Sequence, residues 1–515
     1  MNKNIRILFI ITLFIFCIGY TCIGAFPDND LWARLIVGEH IVEQLEILKN
    51  DFLSYTPTHN WYDHEWGASI FFYLAFKHWG DAGLMMLKGI LCALTMFFCF
   101  KTVELKKPQN TVSYNILYYV LMFFVVEKSL GATPRCLLFT ILFFSIFLYI
   151  LEKSRLKSKK ALILLPIIML FWCNIHGGCL SGLGLIFLYI IGEFLNKQPI
   201  KEYIITFLCS LGVLFINPYG LEYVKFLFSA GTKNRTLIAE WESPFIIKNI
   251  TRYLRYKLFL PIMLSTYVVS TIKNKISFNK LDKTKLIIIS LTALLSIMHI
   301  RHIVFFVITA GVFLYDDFYG LFNRILNKIK ENLKISLETE KTITLAKDVF
   351  VYFFILLLSL PMVLAEKKEL EIVTTNYPIY AIEFLKQNDL RGNLYVNFDW
   401  GSYASYKLYP NNLIVMDGRY EEVYYDNLLE EQFDFHYVKN DWYKIIRNYK
   451  TDIILIDKKY PVYERLSNHA NWHKIFEDEK FAIFIPRGSE KSNYKLPTSD
   501  FEYYNQTKFD KLTNF

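Results

Sequence analysis

The chain has 515 residues, 53% of them hydrophobic, with a mean hydropathy of +0.26 and a formal net charge of +9. The apolar share is concentrated in runs long enough to cross a bilayer, which excludes an ordinary soluble protein. The Lys and Arg follow the pattern of membrane topology, so the positive charge does not argue for nucleic acid as a partner.

By the length criterion the chain reads as an α-helical polytopic membrane protein of about eleven spans. They lie near 5–26, 79–100, 111–126, 136–151, 161–173, 178–194, 203–216, 258–272, 285–298, 303–315 and 348–365. With the N-terminus taken as cytoplasmic, the inner segments carry 23 Lys and Arg and the longer outer loops only 12. That asymmetry sets the N-terminus inside and the C-terminal residues outside the cytoplasmic membrane. In this topology all nine Trp and all ten His fall on the outer side. Met1–Ala25 begins with Lys3 and Arg6 like a signal peptide, but its apolar run is too long for one and is read as the first span. The eight Cys lie in or beside the spans without disulfide or zinc spacing, as packing residues do.

The stretch after the first span, Phe26–Trp66, opens with Asp28 and Asp30 at the edge of the bilayer. Leu31–Leu48 has helical apolar spacing with charges between, predicting an amphipathic helix along the membrane surface. The loop ends in Trp61-Tyr-Asp-His-Glu-Trp66, which returns three ionisable groups, Asp63, His64 and Glu65, and three aromatics, Trp66 among them, to the same interface. Carboxylates and an imidazole at a water–lipid boundary suit an enzyme acting on a lipid-linked substrate.

Further along, Arg135 follows Pro134 at the start of the fourth span; an Arg at that depth finds either an anion or a lipid phosphate. Span five ends in Asn174-Ile-His176-Gly-Gly178, where the glycines permit close approach of backbone and ligand, or His176 is an interfacial hydrogen-bonder. The outer loop 217–257 begins with the turn Asn217-Pro-Tyr-Gly220 and carries Glu240-Trp241-Glu242. It reads either as a self-paired surface loop or as a source of a carboxylate and an aromatic shelf. The short outer turn His299-Ile-Arg301-His302 packs three cationic-capable groups together, as phosphate recognition requires and as snorkelling residues also do. Residues 316–347 read as a basic amphipathic inner segment.

Residues 366–490 change character. Short apolar runs at 393–397, 413–416, 452–456 and 482–485 alternate with helical patterns at 380–387 and 437–449, predicting a small α/β domain with a partly parallel sheet. Asp399, Asp417 and Arg419 follow two of these strands, where α/β sheets bind ligands, although Asp-Gly is also a common turn. The tail 491–515 is polar. The predicted division is thus a helical domain, 1–365, holding the first outer loop 27–66, and an extracytoplasmic α/β domain, 366–490.

Eight short motifs stand in order: D-x-D-L-W (Asp28–Trp32), S-Y-T (Ser54–Thr56), H-E-W (His64–Trp66), N-x-H-G-G (Asn174–Gly178), N-P-Y-G (Asn217–Gly220), E-W-x-S-P (Glu240–Pro244), D-W-G (Asp399–Gly401) and D-G-R (Asp417–Arg419). Together with an acidic first outer loop and an outer C-terminal domain, they resemble the GT-C superfamily of polytopic glycosyltransferases, which includes mannosyltransferase and oligosaccharyltransferase-like proteins. Asn29 separates the two acids that a mannosyltransferase-type loop has side by side, and Phe398–Gly401 only loosely echoes the oligosaccharyltransferase W-W-D-Y-G.

The resemblance implies an inverting transfer of sugar from a polyprenyl-phosphate donor to an acceptor at the outer face. Asp30 is then the general base, with Asp28 orienting it or sharing a cation. Arg135, Arg301 and His302 meet the leaving phosphate, and His64, Glu65, His176 and Glu240 bind hydroxyls, with Trp66 and Trp241 as stacking faces. Such a carboxylate–histidine set can also hold a divalent cation. The rival readings are a transporter or flippase of lipid-linked glycans, which would place its ionisable groups mid-span, and a non-catalytic envelope assembly protein.

Overall fold

A computed structural model describes residues 3–21, 26–106, 112–130, 133–232, 238–246, 251–332, 350–351, 353–357, 359–360, 370, 372, 377–489 and 493–497. They form two compact units. One comprises Met1–Ala25 and Asp81–Glu369, the other Phe26–Gly80 and Leu370–Phe515. The first loop therefore packs with the C-terminal residues, where the sequence reading had assigned 27–66 to the helical domain.

The first unit is helical. Lys3–Thr21, Val112–Leu130, Leu137–Leu156, Leu164–Ile175, Leu180–Leu195, Lys201–Val213, Leu254–Lys273, Lys283–Met298 and Ile303–Phe313 lie over nine of the expected spans. Another expected span falls within Trp66–Glu104, which breaks at Gly80, whose φ of 57° is open to glycine and strained for other residues. By length and composition, Trp66–Glu104, Leu137–Leu156 and Gly177–Leu195 can each cross a membrane, and Ile300–Phe313 with Tyr315–Lys328, bent by 65°, makes a fourth if taken as one span. Among the described residues this is fewer than the expected eleven or so. For some of them the reason is length: the 12 residues of Leu164–Ile175 and 13 of Lys201–Val213 reach only about 20 Å at the helical rise, against a hydrocarbon core of about 30 Å. Half of the expected span 348–365 and most of the tail 491–515 lie outside the described residues.

Polar side chains tie helix ends in this unit together. Arg155 binds Glu193 at 2.6 Å, Asp282 at 2.8 Å and Glu152 at 3.3 Å, and Tyr189 donates to Glu152 at 2.8 Å. Three carboxylates converge on one guanidinium, and its planar fork serves several acceptors at once.

The second unit is built on a five-stranded sheet in the order β2-β1-β3-β5-β4. The strands are β1 (Gly392–Tyr395), β2 (Asn412–Ile414), β3 (Ile453–Asp457), β4 (Trp472–Glu477) and β5 (Phe481–Pro486). β2, β1 and β3 run parallel, and β3, β5 and β4 antiparallel, so the sheet is mixed as expected. β3 is buried along its whole length, as an apolar run covered on both faces should be. β4 was not anticipated: only Trp472 and Phe476 turn inward along it, and a register shift interrupts its pairing after Lys474. The helix expected at 437–449 is instead Asp426–Tyr437, ended by Val438 in the left-handed region, with a short helix Lys444–Asn448 beyond.

The first loop extends this sheet. Ile414 of β2 donates to the Leu53 carbonyl at 2.9 Å and accepts from the Tyr55 N–H at 3.0 Å; His59 N–H donates to the Val423 carbonyl at 2.8 Å. The S-Y-T motif is thus an edge segment that covers β2. The helix Leu31–Gln44 is buried on every side from Leu31 to Gly38, which corrects the expected amphipathic surface helix. Its Trp32 packs on Tyr403 and Tyr406, at ring distances of 5.3 and 5.0 Å, within the helix Phe398–Leu408.

Candidate active site

In the second unit the chain turns into the helix Leu31–Gln44 through Asp28-Asn29-Asp30. Leu31 N–H donates to the Asp28 carbonyl at 3.1 Å, Asp30 N–H reaches Asp28 Oδ1 at 3.3 Å, and Tyr377 OH donates to Asn29 Oδ1 at 2.9 Å. Both carboxylates stand at the N-terminal end of this helix. Asp30 occupies the N-cap position yet makes no side-chain capping bond. Its carboxylate lies on Gly418: a Cβ at that glycine would fall 2.8 Å from Asp30 Cγ and nearer still to Oδ1.

Gly418 belongs to the D-G-R turn that follows β2. The neighbouring Asp417 and Arg419 are buried, at 0% and 2% exposure. Arg419 Nε donates to both oxygens of Asp417 at 2.9 and 3.0 Å, Nη1 to Asp51 at 2.6 Å and Nη2 to Tyr424 OH at 3.3 Å. The guanidinium also lies 4.7 Å from the Trp61 ring centroid. These two residues, expected as ligand contacts, are spent on each other and on Asp51, so they hold the first loop against the sheet. Despite burial, Arg419 keeps the Asp51 carboxyl below its usual range. Gly401 of D-W-G backs the same turn, since a Cβ there would meet Asp417 Cβ at 2.7 Å. Asp399 is exposed at the start of its helix and is the one of the three outer-domain candidates open to a ligand.

Beside this turn lies a charged cluster. Arg34, 2% exposed, binds Asp63 at 2.7 Å and faces Glu65 at 3.5 Å and Glu422 at 3.6 Å. His64 Nδ1 is 3.0 Å from Glu422 and its Nε2 3.8 Å from Glu65, while Trp61 Nε1 donates to Glu422 at 2.6 Å. Burial opposes a charge on His64, but Glu422, Glu65 and Asp63 together raise its pKa to about 9. Burial pushes Asp63 up to about 6 in spite of Arg34. Trp66, adjoining Glu65, is half-buried. The sequence places Asp63, His64 and Glu65 at one interface and assigns a role to the last two, but gives no sign of Arg34, Asp51 or Glu422 beyond the closeness of Glu422 to D-G-R.

The first unit holds a second constellation. Arg135 forms a two-point ion pair with Glu240, at 2.6 and 3.1 Å. Burial raises and Arg135 then lowers the Glu240 pKa, with a net fall below the usual carboxylate range. Arg301 lies 5.1 Å from the Trp241 ring, and His299 Nδ1 is 2.6 Å from the Trp241 carbonyl. His302 packs edge-on to Trp241, and its Nδ1 is buried without a hydrogen-bond partner among the described residues. Ile300 N–H closes the arrangement on the Glu242 carbonyl at 2.9 Å. E-W-x-S-P and H-I-R-H thus clip together.

His176 caps the helix Leu164–Ile175 in the same unit. Its Nδ1 accepts from Gly178 N–H at 2.9 Å and lies 2.7 Å from Thr140 Oγ1, which itself accepts from Trp172 Nε1 at 2.9 Å. Nδ1 is therefore the acceptor nitrogen and a neutral His176 carries its proton on Nε2.

No protein family and no curated protein sequence matches the chain. Solved structures do. The apo oligosaccharyltransferase of Archaeoglobus fulgidus superposes with a TM-score of 0.60 at 10% identity, over 88% of this chain and 70% of that one. The same organism's AglB, in complex with an inhibitory peptide and a dolichol-phosphate, gives 0.55 at 8% identity over 96% and 75%. ArnT from Cupriavidus metallidurans, bound to undecaprenyl phosphate, gives 0.53 at 9% identity over 95% and 99%. These neighbours are GT-C glycosyltransferases, so the fold expected from the motifs is the fold found.

Proposed function

We propose that the chain is a multi-pass glycosyltransferase of the cytoplasmic membrane that moves a sugar from a polyprenyl-phosphate-linked donor to an acceptor at the outer face. The observation that carries this reading is the Asp28–Asp30 pair at a helix N-terminus, with Asp30 lying on the D-G-R turn, in a chain of GT-C fold. The neighbours bound to dolichol-phosphate and undecaprenyl phosphate support a donor of the same class.

In this reading Asp30 takes the proton from the acceptor hydroxyl as the oxygen attacks the anomeric carbon, and the lipid phosphate departs from the opposite side with inversion. General base catalysis of this kind is worth about 10²–10⁴ in rate. Asp28, whose Oδ1 meets the Asp30 amide, orients the base. Arg301 supplies positive charge to the leaving phosphate while Arg135 is held by Glu240. Trp66, Trp241, His176 and the exposed Asp399 are assigned to sugar and acceptor contacts. The topology of about eleven spans, with the N-terminus cytoplasmic and the α/β residues outside, belongs to this proposal.

The test is mass spectrometry of envelope glycans and glycolipids from a deletion strain against its parent. The expected result is loss of one sugar from a defined glycan and accumulation of the lipid-linked donor. An unchanged profile contradicts the reading.

A further inference from the structure

We infer that His64, Glu65 and Glu422 bind one divalent metal ion of the zinc or manganese class, and that this ion ties the first loop to the C-terminal α/β residues. The inference stands on the second unit alone and does not require that the chain transfer sugar.

One donor atom from each of the three residues lies within 4.8 Å of the others. Two ligands about 2.0–2.2 Å from a shared ion stand at most about 4.4 Å apart, so the three side chains would draw in by a few tenths of an ångström or more on binding it. The two glutamates divide their oxygens. Oε2 of Glu422 accepts from Trp61 at 2.6 Å and faces Arg34 at 3.6 Å; Oε2 of Glu65 faces Arg34 at 3.5 Å. Oε1 of Glu422 lies 3.0 Å from the imidazole Nδ1 and Oε1 of Glu65 3.8 Å from its Nε2, so the two flank the ring and an ion would take one of the two nitrogens. Donors behind the carboxylates thus fix their orientation, as outer partners of metal ligands do.

Charge points the same way. Asp63, Glu65 and Glu422 set three carboxylates against the single guanidinium of Arg34. Were His64 to give up its second proton to a bound ion, the three carboxylates and Arg34 would leave two negative charges in excess, which one divalent ion would neutralise. Asp63 is 1% exposed, and its Oδ2 has no hydrogen-bond partner among the described residues. His64 and Glu65 remain 20% and 16% exposed, which leaves a route for an ion. A set of one imidazole nitrogen and two carboxylate oxygens suits zinc or manganese better than an all-oxygen cation.

The test uses the full chain purified in detergent without chelator. Metal content by mass spectrometry should approach one equivalent. Stripping with EDTA should lower the melting temperature by several degrees, and adding Zn²⁺ or Mn²⁺ alone should restore it. Glu65→Gln and Glu422→Gln should abolish that response, and Asp30→Asn should keep it; Glu65→Gln decides the matter if the more buried Glu422→Gln fails to fold. A folded, stripped wild type that ignores both metals overturns the inference. So does a response lost in Asp30→Asn but kept in Glu65→Gln, which would put the ion at the D-x-D pair.

Discussion

Asp30 lies directly on Gly418, so that no side chain can stand at position 418 while the Asp30 carboxylate keeps its place. Gly418→Ala should therefore shift Asp30 and cost about 1–3 kcal/mol, the usual range for overpacking. Thermal unfolding checks this against Gly184→Ala, where an added Cβ meets nothing within 4 Å and the melting temperature should barely change.

Arg419 joins Asp417 to Asp51, and removing it strands two buried carboxylates. Arg419→Ala should cost about 3–5 kcal/mol, as breaking a buried pair does. Chemical denaturation of wild type and variant measures the difference.

The same pair predicts a pH dependence. The folded pKa of Asp51 is below its ordinary value, so the folded state binds fewer protons there than the unfolded state. Its contribution is fully present above the unfolded value of about 3.9 and is lost as pH falls through the lower folded value. Asp51→Asn should be less stable than wild type at neutral pH, and the gap should narrow as the solution is acidified below about pH 4. Melting curves across that range provide the check.

How much of this could be read from the sequence differs by element. β1, β2, β3 and β5 were legible as short apolar runs between turn residues. β4 was not, because with only Trp472 and Phe476 facing inward its run reads as a polar surface. Arg34 was placed on a solvated face by its charge. It is buried because Asp63, Glu65 and Glu422 meet it, and Glu422 comes from the far end of the chain. The residue types of D-x-D and D-G-R were visible, but not that their segments share one unit. Arg419 and Asp51 bond across 368 residues, and local periodicity carries no information over such a separation.

Arg301 lies over Trp241 in a clip whose other cation, Arg135, is already paired with Glu240. Arg301→Ala should weaken use of the lipid-linked donor by about tenfold or more, whereas Arg301→Lys should retain part of it, since Lys offers the charge without the planar fork. Initial rates over a range of donor concentrations separate the two.

The central claim is tested most directly by Asp30→Asn, assayed for sugar transfer in membranes after melting and insertion have been matched to wild type. The account predicts a folded protein whose transfer rate falls by about 10²-fold or more, the loss of a general base. A folded Asp30→Asn protein that makes product at the wild-type rate would contradict it.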